Sequence, residues 1–250
     1  MFKRSFINGW FYLPVTFVFL LFASYVWYPG PVIVPGHMTG FFEYTETTVT
    51  ILLAAFCCFT LINKYEIELG LVCGTSTLKL FISKVLPIFV YTIIPMFVIL
   101  VLYEYVPYSG TEKAEIAIFV PENWKIYAAI SFIVSFLFFF SLFCFLRVLM
   151  RNCYVPLFVC MFFHAVAYDY TKSVQYGNTS PKLSIFNPYI SVYMLSDKIP
   201  DMIAGQHEEL SLLYHAWSYN RIIFFVLGIV LLAATCFMLK RETLHKGFGD

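Results

Sequence analysis

Six long apolar stretches run through the sequence and are separated by more polar segments. They are Trp10–Tyr28, Thr48–Ile62, Val85–Tyr103, Ile126–Leu146, Cys153–Tyr168 and Ile222–Leu239. A helix needs about 20 mostly apolar residues to cross a bilayer, and flanking residues bring the short second and fifth stretches near that length. Strands of a membrane barrel alternate apolar and polar residues, which stretches such as Ile130–Leu146 do not. The pattern therefore predicts one all-α membrane domain, residues 1–250, with six transmembrane helices.

The charged residues predict the orientation of these helices. With a cytoplasmic N-terminus, the inside segments carry ten basic and four acidic residues, whereas the longer outside segments carry six basic and eleven acidic residues. An excess of Lys and Arg is typical of the cytoplasmic side, so we expect both termini there. A cleaved signal peptide is the alternative at the N-terminus, but the first stretch is long for one and no A-x-A-like site follows it.

Composition excludes several other classes of protein. The chain is 60% apolar and 12% charged, whereas an average soluble domain is about 45–50% apolar and about 25% charged. The 16 basic residues nearly balance the 15 acidic ones, which gives no indication of a nucleic-acid partner. All seven cysteines fall in predicted spans or on the cytoplasmic side, so we expect no external disulfides.

Charged and apolar residues alternate between the second and third predicted spans. In Asn63–Lys84, Glu66 and Glu68 interrupt the apolar positions, so this segment is too polar to cross the membrane. Glycines predict a turn within it, and Thr75 or Ser76 can cap the helix that follows. The segment is thus predicted to form a short surface helix, a turn and the start of the third span, with an ordinary solvated loop as the alternative.

The outside stretch Tyr170–Asn220 is too long for a passive connection. Within it, Leu183–Leu195 is apolar but only 13 residues long, and Asn187 and Pro188 interrupt it. A proline removes a backbone donor and disfavours a helical residue before it, so we expect a broken re-entrant or interfacial helix. Leu210–Trp217 is predicted to form a second short helix before the last span.

Three ionisable residues lie close to the outer ends of the fifth and sixth predicted spans: His164, Asp169 and Arg221. Ionisable groups at membrane depth are candidate functional residues by default. The alternative interpretation is structural. Asp169 and Arg221 would then reach water or pair with each other, and His164 would hydrogen-bond a neighbouring helix.

The sequence lacks the common catalytic patterns. There is no phosphate-binding GxxxxGK[ST], no GxSxG, no HExxH and no CxxC. His164 and Asp169 are five residues apart, which places them about 140° from each other around a helix. We therefore expect no active site, metal or cofactor in this chain.

Several local patterns together resemble the permease subunit of a type-2 ABC exporter. They are Tyr65–Gly70, Ser83-Lys84, Asn187-Pro188 after the fifth span, Asn220-Arg221 before the sixth, and the basic tail Lys240–Glu242. With six spans and cytoplasmic termini, the resemblance covers nearly the whole chain. One departure is that only nine residues precede the first span, which leaves little room for the entry helix of some members.

The resemblance implies partners and roles. The segment between spans two and three would be a coupling helix on a separate cytoplasmic ATPase, which binds ATP and Mg²⁺, and a second permease chain, identical or paralogous, would complete the pathway. The residues implied at the ATPase contact are Glu66, Glu68, Gly70, Lys79, Lys84, Arg147 and Arg151. Asn187 and Pro188 would form an outer gate, and the location would be a bacterial plasma membrane.

Substrate class is predicted from the spans, which contain almost no charge and many Phe and Tyr residues. Such a pathway favours hydrophobic or amphipathic cargo, with peptides ranked first and lipids or drugs second. Two alternatives remain open at this stage. One is a membrane-embedded enzyme that uses His164 and Asp169, and the other is a channel or immunity protein that works without an ATPase.

Overall fold

Five α-helices make up almost all of the part of the chain that the computed structural model describes: Glu46 and residues 50–61, 76–102, 124–150, 154–175, 185–189 and 207–242. The helices are α1 (Thr50–Leu61), α2 (Thr77–Leu102), α3 (Trp124–Met150), α4 (Tyr154–Gln175) and α5 (His207–Glu242). Within these residues there is no β-strand. The first predicted span, Trp10–Tyr28, lies outside the described residues.

Helix α3 lies at the centre and packs most extensively against α5, and then against α1 and α4. Its buried face is aromatic. Phe132, Phe136, Phe139, Phe140 and Phe143 are almost completely buried. The rings of Phe136 and Phe140 stack with centroids 5.9 Å apart, and Phe89 of α2 meets both edge-on. Offset and edge-to-face contacts suit the aromatic quadrupole, so these rings pack tightly against one another.

Helices α3 and α5 run parallel to each other. The rings of Tyr127 and Trp217 meet at 4.9 Å, and further along both helices Phe138 meets Phe224 at 4.8 Å. One turn after Phe224, Gly228 allows close approach, since a Cβ there would lie 2.9 Å from Cγ of Leu137. The absence of a side chain at Gly228 therefore lets α5 lie close to α3 at this point.

Two segments are long and apolar enough to cross a membrane: Ala129–Met150 of α3 and Trp217–Leu239 of α5. They differ in burial. In α3, 72% of the apolar stretch is buried inside the protein, whereas in α5 only 22% of the apolar stretch is buried. Large apolar side chains such as Ile222, Val230 and Phe237 are exposed along α5. An apolar surface of this extent is unusual for a soluble monomer.

The last helix differs from its prediction. Leu210–Trp217 was expected to form a separate short helix, but it is continuous with the last apolar stretch in the 36-residue α5. The physical reason is local, because no glycine or proline occurs between His207 and Gly228 to break the helix. At about 1.5 Å per residue, α5 is about 54 Å long, well beyond the hydrocarbon core of a bilayer.

The start of the long helix α2 agrees with the predicted cap. Oγ of Ser76 accepts a hydrogen bond from the backbone N–H of Lys79 at 3.3 Å, as a residue just before a helix does. The helix therefore begins eight residues before the predicted span, at Thr77. Helices α3 and α4 also extend beyond the apolar stretches that predicted them.

Candidate functional site: a buried polar cluster

Polar side chains from five parts of the chain meet between the helices and form what we call the polar cluster. Its members are Glu46, Ser135, His164, Thr171, Asn187, Tyr189, Asn220 and Arg221, together with the carbonyl group of Pro188. All of these residues are buried. Buried polar groups are costly unless they are paired, so the pairing shows how the cluster is built.

The strongest interaction in the cluster is an ion pair. NH1 of Arg221 lies 2.9 Å from Oε1 of Glu46, and the two side chains are 3% and 6% exposed. The hydroxyl of Ser135 donates to the same carboxylate oxygen at 2.9 Å and accepts from NH1 of Arg221 at 3.2 Å. Each charge thus has both an opposite charge and a hydrogen-bond partner, which a buried ion pair requires.

Arg221 also binds the backbone of the segment 185–189. Its NH2 donates to the carbonyl oxygen of Pro188 at 2.6 Å and to Oδ1 of Asn220 at 2.7 Å. Nδ2 of Asn220 in turn donates to the carbonyl oxygens of Ile185 and Asn187, both at 2.8 Å. Two neighbouring side chains of α5 therefore donate hydrogen bonds to three carbonyl groups that lie outside a regular α-helix.

Asn187 fastens the same segment to α4. Its Nδ2 donates to the carbonyl oxygen of Ala167 at 2.9 Å and to Oγ1 of Thr171 at 3.0 Å. Its Oδ1 accepts from the backbone N–H of Tyr189 at 2.9 Å, which is the local turn that asparagine side chains favour. The backbone is non-helical here, as the Asn187-Pro188 sequence predicted.

Tyr189 connects the segment to His164. Its hydroxyl oxygen lies 2.7 Å from Nδ1 of His164, and its ring stacks on Phe139 of α3 with centroids 5.5 Å apart. This contact holds the imidazole of His164 against the segment 185–189.

The structure brings four of the predicted site residues into one cluster: His164, Asn187, Pro188 and Arg221. Asp169 is not among them, because its side chain is exposed on α4. Arg221 pairs with Glu46 rather than with Asp169, and it is buried rather than in contact with water. His164 binds the segment 185–189, where a neighbouring helix was the expected partner.

The residues predicted to contact an ATPase are only partly described. Glu66, Glu68, Gly70 and Arg151 lie outside the described residues. Lys79 is exposed in the first turn of α2, and Lys84 lies further along that helix. NH1 of Arg147, in the last turn of α3, donates to the carbonyl oxygen of Cys58 at 3.0 Å. That carbonyl is among the last four of α1, so the contact satisfies a helix end.

Sequence reasoning missed five members of the cluster: Glu46, Ser135, Thr171, Tyr189 and Asn220. Glu46 had been counted among the acidic residues of an outside segment, because the second apolar stretch begins two residues after it. A signal was present, since an acidic side chain less than two turns before an apolar helix can fold back beside that helix. Ser135 lies within a run of apolar residues and gave no local signal.

The chemistry of the cluster is that of binding and support. Its one positive and one negative charge cancel, and its donors are directed at backbone carbonyl groups, at one carboxylate and at other side-chain oxygens of the cluster. Within the described residues, no three His, Cys, Asp or Glu side chains gather in a way that could hold a metal ion. The five cysteines described there form no disulfide.

No protein-family model matches the chain, and neither a curated protein nor a solved structure matches it.

Proposed function

We propose that this chain is the transmembrane subunit of an ATP-driven exporter of the type-2 ABC class. One observation carries the proposal, namely the non-helical backbone at Asn187 and Pro188 that is buried between α4 and α5. Inside a bilayer, irregular backbone is tolerated only where protein buries it or where it lines an aqueous cavity. Such interruptions are a recurring feature of transport proteins.

The proposal includes a topology finer than the two apolar helices described above. Six spans cross a bacterial plasma membrane, both termini are cytoplasmic, and the segment 185–189 faces the outer side. The apolar side chains exposed along α5 support a surface in contact with lipid or with a second permease chain. The resemblance of Tyr65–Gly70 to a coupling helix supports a cytoplasmic ATPase as the partner.

In the proposed mechanism, α5 is a rigid helix that extends from one membrane surface to the other. Its length of about 54 Å exceeds the thickness of the hydrocarbon core, so a single helix can link both sides. Asn220 and Arg221 attach the segment 185–189 to α5. A movement that the ATPase produces at the cytoplasmic end of α5 would then shift the segment and open an outer gate for amphipathic cargo, with peptides as the first choice.

The contacts of His164 favour transport over a membrane-embedded enzyme. A catalytic pair of His164 and Asp169 needs both groups at one site, but His164 is buried against Tyr189 while Asp169 is exposed. Nδ1 of the imidazole is already bound to the hydroxyl of Tyr189. We therefore assign His164 a supporting role.

Affinity purification of the chain from its native membranes tests the proposal. We expect an ATPase to co-purify, and we expect Glu66→Lys with Glu68→Lys to remove it, because like charges at an interface cost several kcal/mol. The matched control is Glu208→Lys with Glu209→Lys, which the proposed topology puts on the other side of the membrane. Retention of ATPase in the first variant, or absence of any ATPase from the wild-type preparation, would contradict the proposal.

A further inference from the structure

Two thiol groups from different helices meet inside the protein. The side chains of Cys58 on α1 and Cys144 on α3 share a hydrogen bond. The two residues are 1% and 0% exposed. Because the hydrogen bond brings the two sulfur atoms into contact, one small ion can bridge them with little movement of the helices.

A positive charge lies beside this pair of thiols. Arg147 follows Cys144 by three residues on α3, and side chains at this spacing are neighbours on the surface of a helix. NH1 of Arg147 donates to the carbonyl oxygen of Cys58 at 3.0 Å, so the guanidinium group reaches from α3 to α1. Its charge also acts favourably on a thiolate at Cys144. The surroundings therefore favour negative charge on the two sulfur atoms.

The neighbouring thiols have other surroundings. The side chain of Cys57 forms a hydrogen bond with Thr92 of α2, and the buried Cys160 of α4 interacts electrostatically with Cys58. Among the described residues, no three His, Cys, Asp or Glu side chains are grouped so that they could hold a metal ion. The site between α1 and α3 thus offers two sulfur ligands.

The number of ligands selects the kind of ion. Thiolates are soft ligands, which in proteins bind zinc, iron–sulfur clusters and Cu(I). Structural zinc and iron–sulfur clusters are held by about four protein ligands, whereas Cu(I) also binds two thiolates in a linear arrangement. We propose that Cys58 and Cys144 bind one Cu(I) ion between α1 and α3.

The charge of the site agrees with a monovalent ion. As each sulfur bonds to copper, its thiol releases a proton to water, and no electron is transferred. Two thiolates and one Cu(I) ion carry a net charge of minus one, which the guanidinium group of Arg147 offsets. A buried charge requires such a partner. With a divalent ion such as Hg²⁺ the two thiolates would form a neutral site, to which Arg147 would add no stability.

The site lies close to the ends of two helices. Cys58 is in the last turn of α1, and Arg147 is in the last turn of α3. In the proposed topology these ends face the cytoplasm, where thiols are kept reduced and copper is present as Cu(I). The site itself depends on the packing of α1 against α3 and not on the exporter assignment.

The test uses the full-length chain, purified in detergent and kept reduced without oxygen. Cu(I) is added in competition with bicinchoninate, a chelator whose copper complex absorbs visible light. We expect the chain to take one Cu(I) ion from the chelator, and X-ray absorption at the copper edge to show two sulfur ligands. Cys58→Ser and Cys144→Ser should each lower the affinity by more than about 100-fold, because a hydroxyl group is a poor ligand for a soft ion.

The matched control is Cys57→Ser, which makes the same change at the adjacent buried position and should leave the affinity unchanged. Arg147→Gln should lower the affinity by about 10- to 100-fold, whereas Arg147→Lys keeps the charge and should lower it much less. Thermal unfolding without copper shows whether each variant is folded. If a variant is not, the X-ray absorption of the wild type still tests the site.

Full affinity in Cys58→Ser or Cys144→Ser would overturn the inference. An equal loss in Cys57→Ser would also overturn it, since the binding would then not depend on the pair. The same holds for a copper spectrum that lacks two sulfur ligands, and for full affinity in Arg147→Gln.

Discussion

Arg221 on α5 and Glu46, which lies 175 residues earlier in the chain, form a buried ion pair with NH1 and Oε1 2.9 Å apart. The pair joins the segment that precedes α1 to α5, the longest helix among the described residues. Through NH2, the same guanidinium group holds the carbonyl of Pro188. One side chain thus connects an early part of the chain, a long apolar helix and a broken segment of backbone.

Removal of the acidic partner should be strongly destabilising. We expect Glu46→Ala to lower the free energy of unfolding by about 3–5 kcal/mol, because it leaves the Arg221 charge buried without a counter-ion. Lys79→Ala, at an exposed position of α2, is the control and should change it by less than about 0.5 kcal/mol. Denaturant unfolding in detergent micelles measures both. A loss below about 1 kcal/mol for Glu46→Ala would show that the pair is solvated.

The geometry of the guanidinium group should matter beyond its charge. Arg221→Lys keeps the positive charge but cannot bind Glu46 and the carbonyl of Pro188 together with the same fork of donors. We expect faster hydrogen exchange at the backbone N–H of Tyr189 than in the wild type. Mass spectrometry of peptides that cover residues 185–189 measures the rate. Arg147→Lys should leave that rate unchanged, and equal rates in both variants would contradict the prediction.

The broken segment should control coupling more than His164 does. Asn187→Leu with Pro188→Ala removes the contacts to Ala167 and Thr171 and permits a regular helix. On the proposed function, this double variant hydrolyses ATP without export, whereas His164→Ala retains most of its export. Transport at matched expression decides between them. An inactive His164→Ala beside a normal double variant would favour the enzyme over the exporter.

The contact between α3 and α5 should be sensitive to added volume at Gly228. A Cβ at this position would lie 2.9 Å from Cγ of Leu137, so Gly228→Val should destabilise the protein by about 1–3 kcal/mol. In a Leu137→Ala background, the same substitution should cost clearly less. Thermal unfolding of the four proteins in this double-mutant cycle measures the coupling energy. If the effects of the two substitutions on stability were strictly additive, Gly228 and Leu137 would not interact, and the prediction would be wrong.

The proposed topology can be tested by labelling single cysteines in a background that lacks the seven native ones. Cysteines at Ser109 and Gln206 should react with an impermeant maleimide from outside intact cells. Cysteines at Thr75 and Gly247 should react only after the cells are opened, because basic residues are concentrated on their side. Labelling of Thr75 from outside would overturn the orientation and the coupling helix together.

The sequence by itself determined the features that depend on neighbouring residues. Apolar runs predicted α3 and the apolar part of α5, Ser76 predicted the start of α2, and Asn187 with Pro188 predicted an interruption. The separate helix predicted over Leu210–Trp217 was wrong, although the absence of glycine and proline there favours the continuous α5 that the structure shows. Periodicity, capping and proline act within a few residues, so they are visible in one dimension.

Only the tertiary structure decided which polar side chains meet. Glu46 finds Arg221 across 175 residues, and Tyr189 finds His164 across 25, because the packing of α3 against α4 and α5 brings them to one place. The same packing left Asp169 exposed. A buried charge must be paired wherever the fold provides a partner, and nothing in the local sequence specifies which distant residue that partner will be.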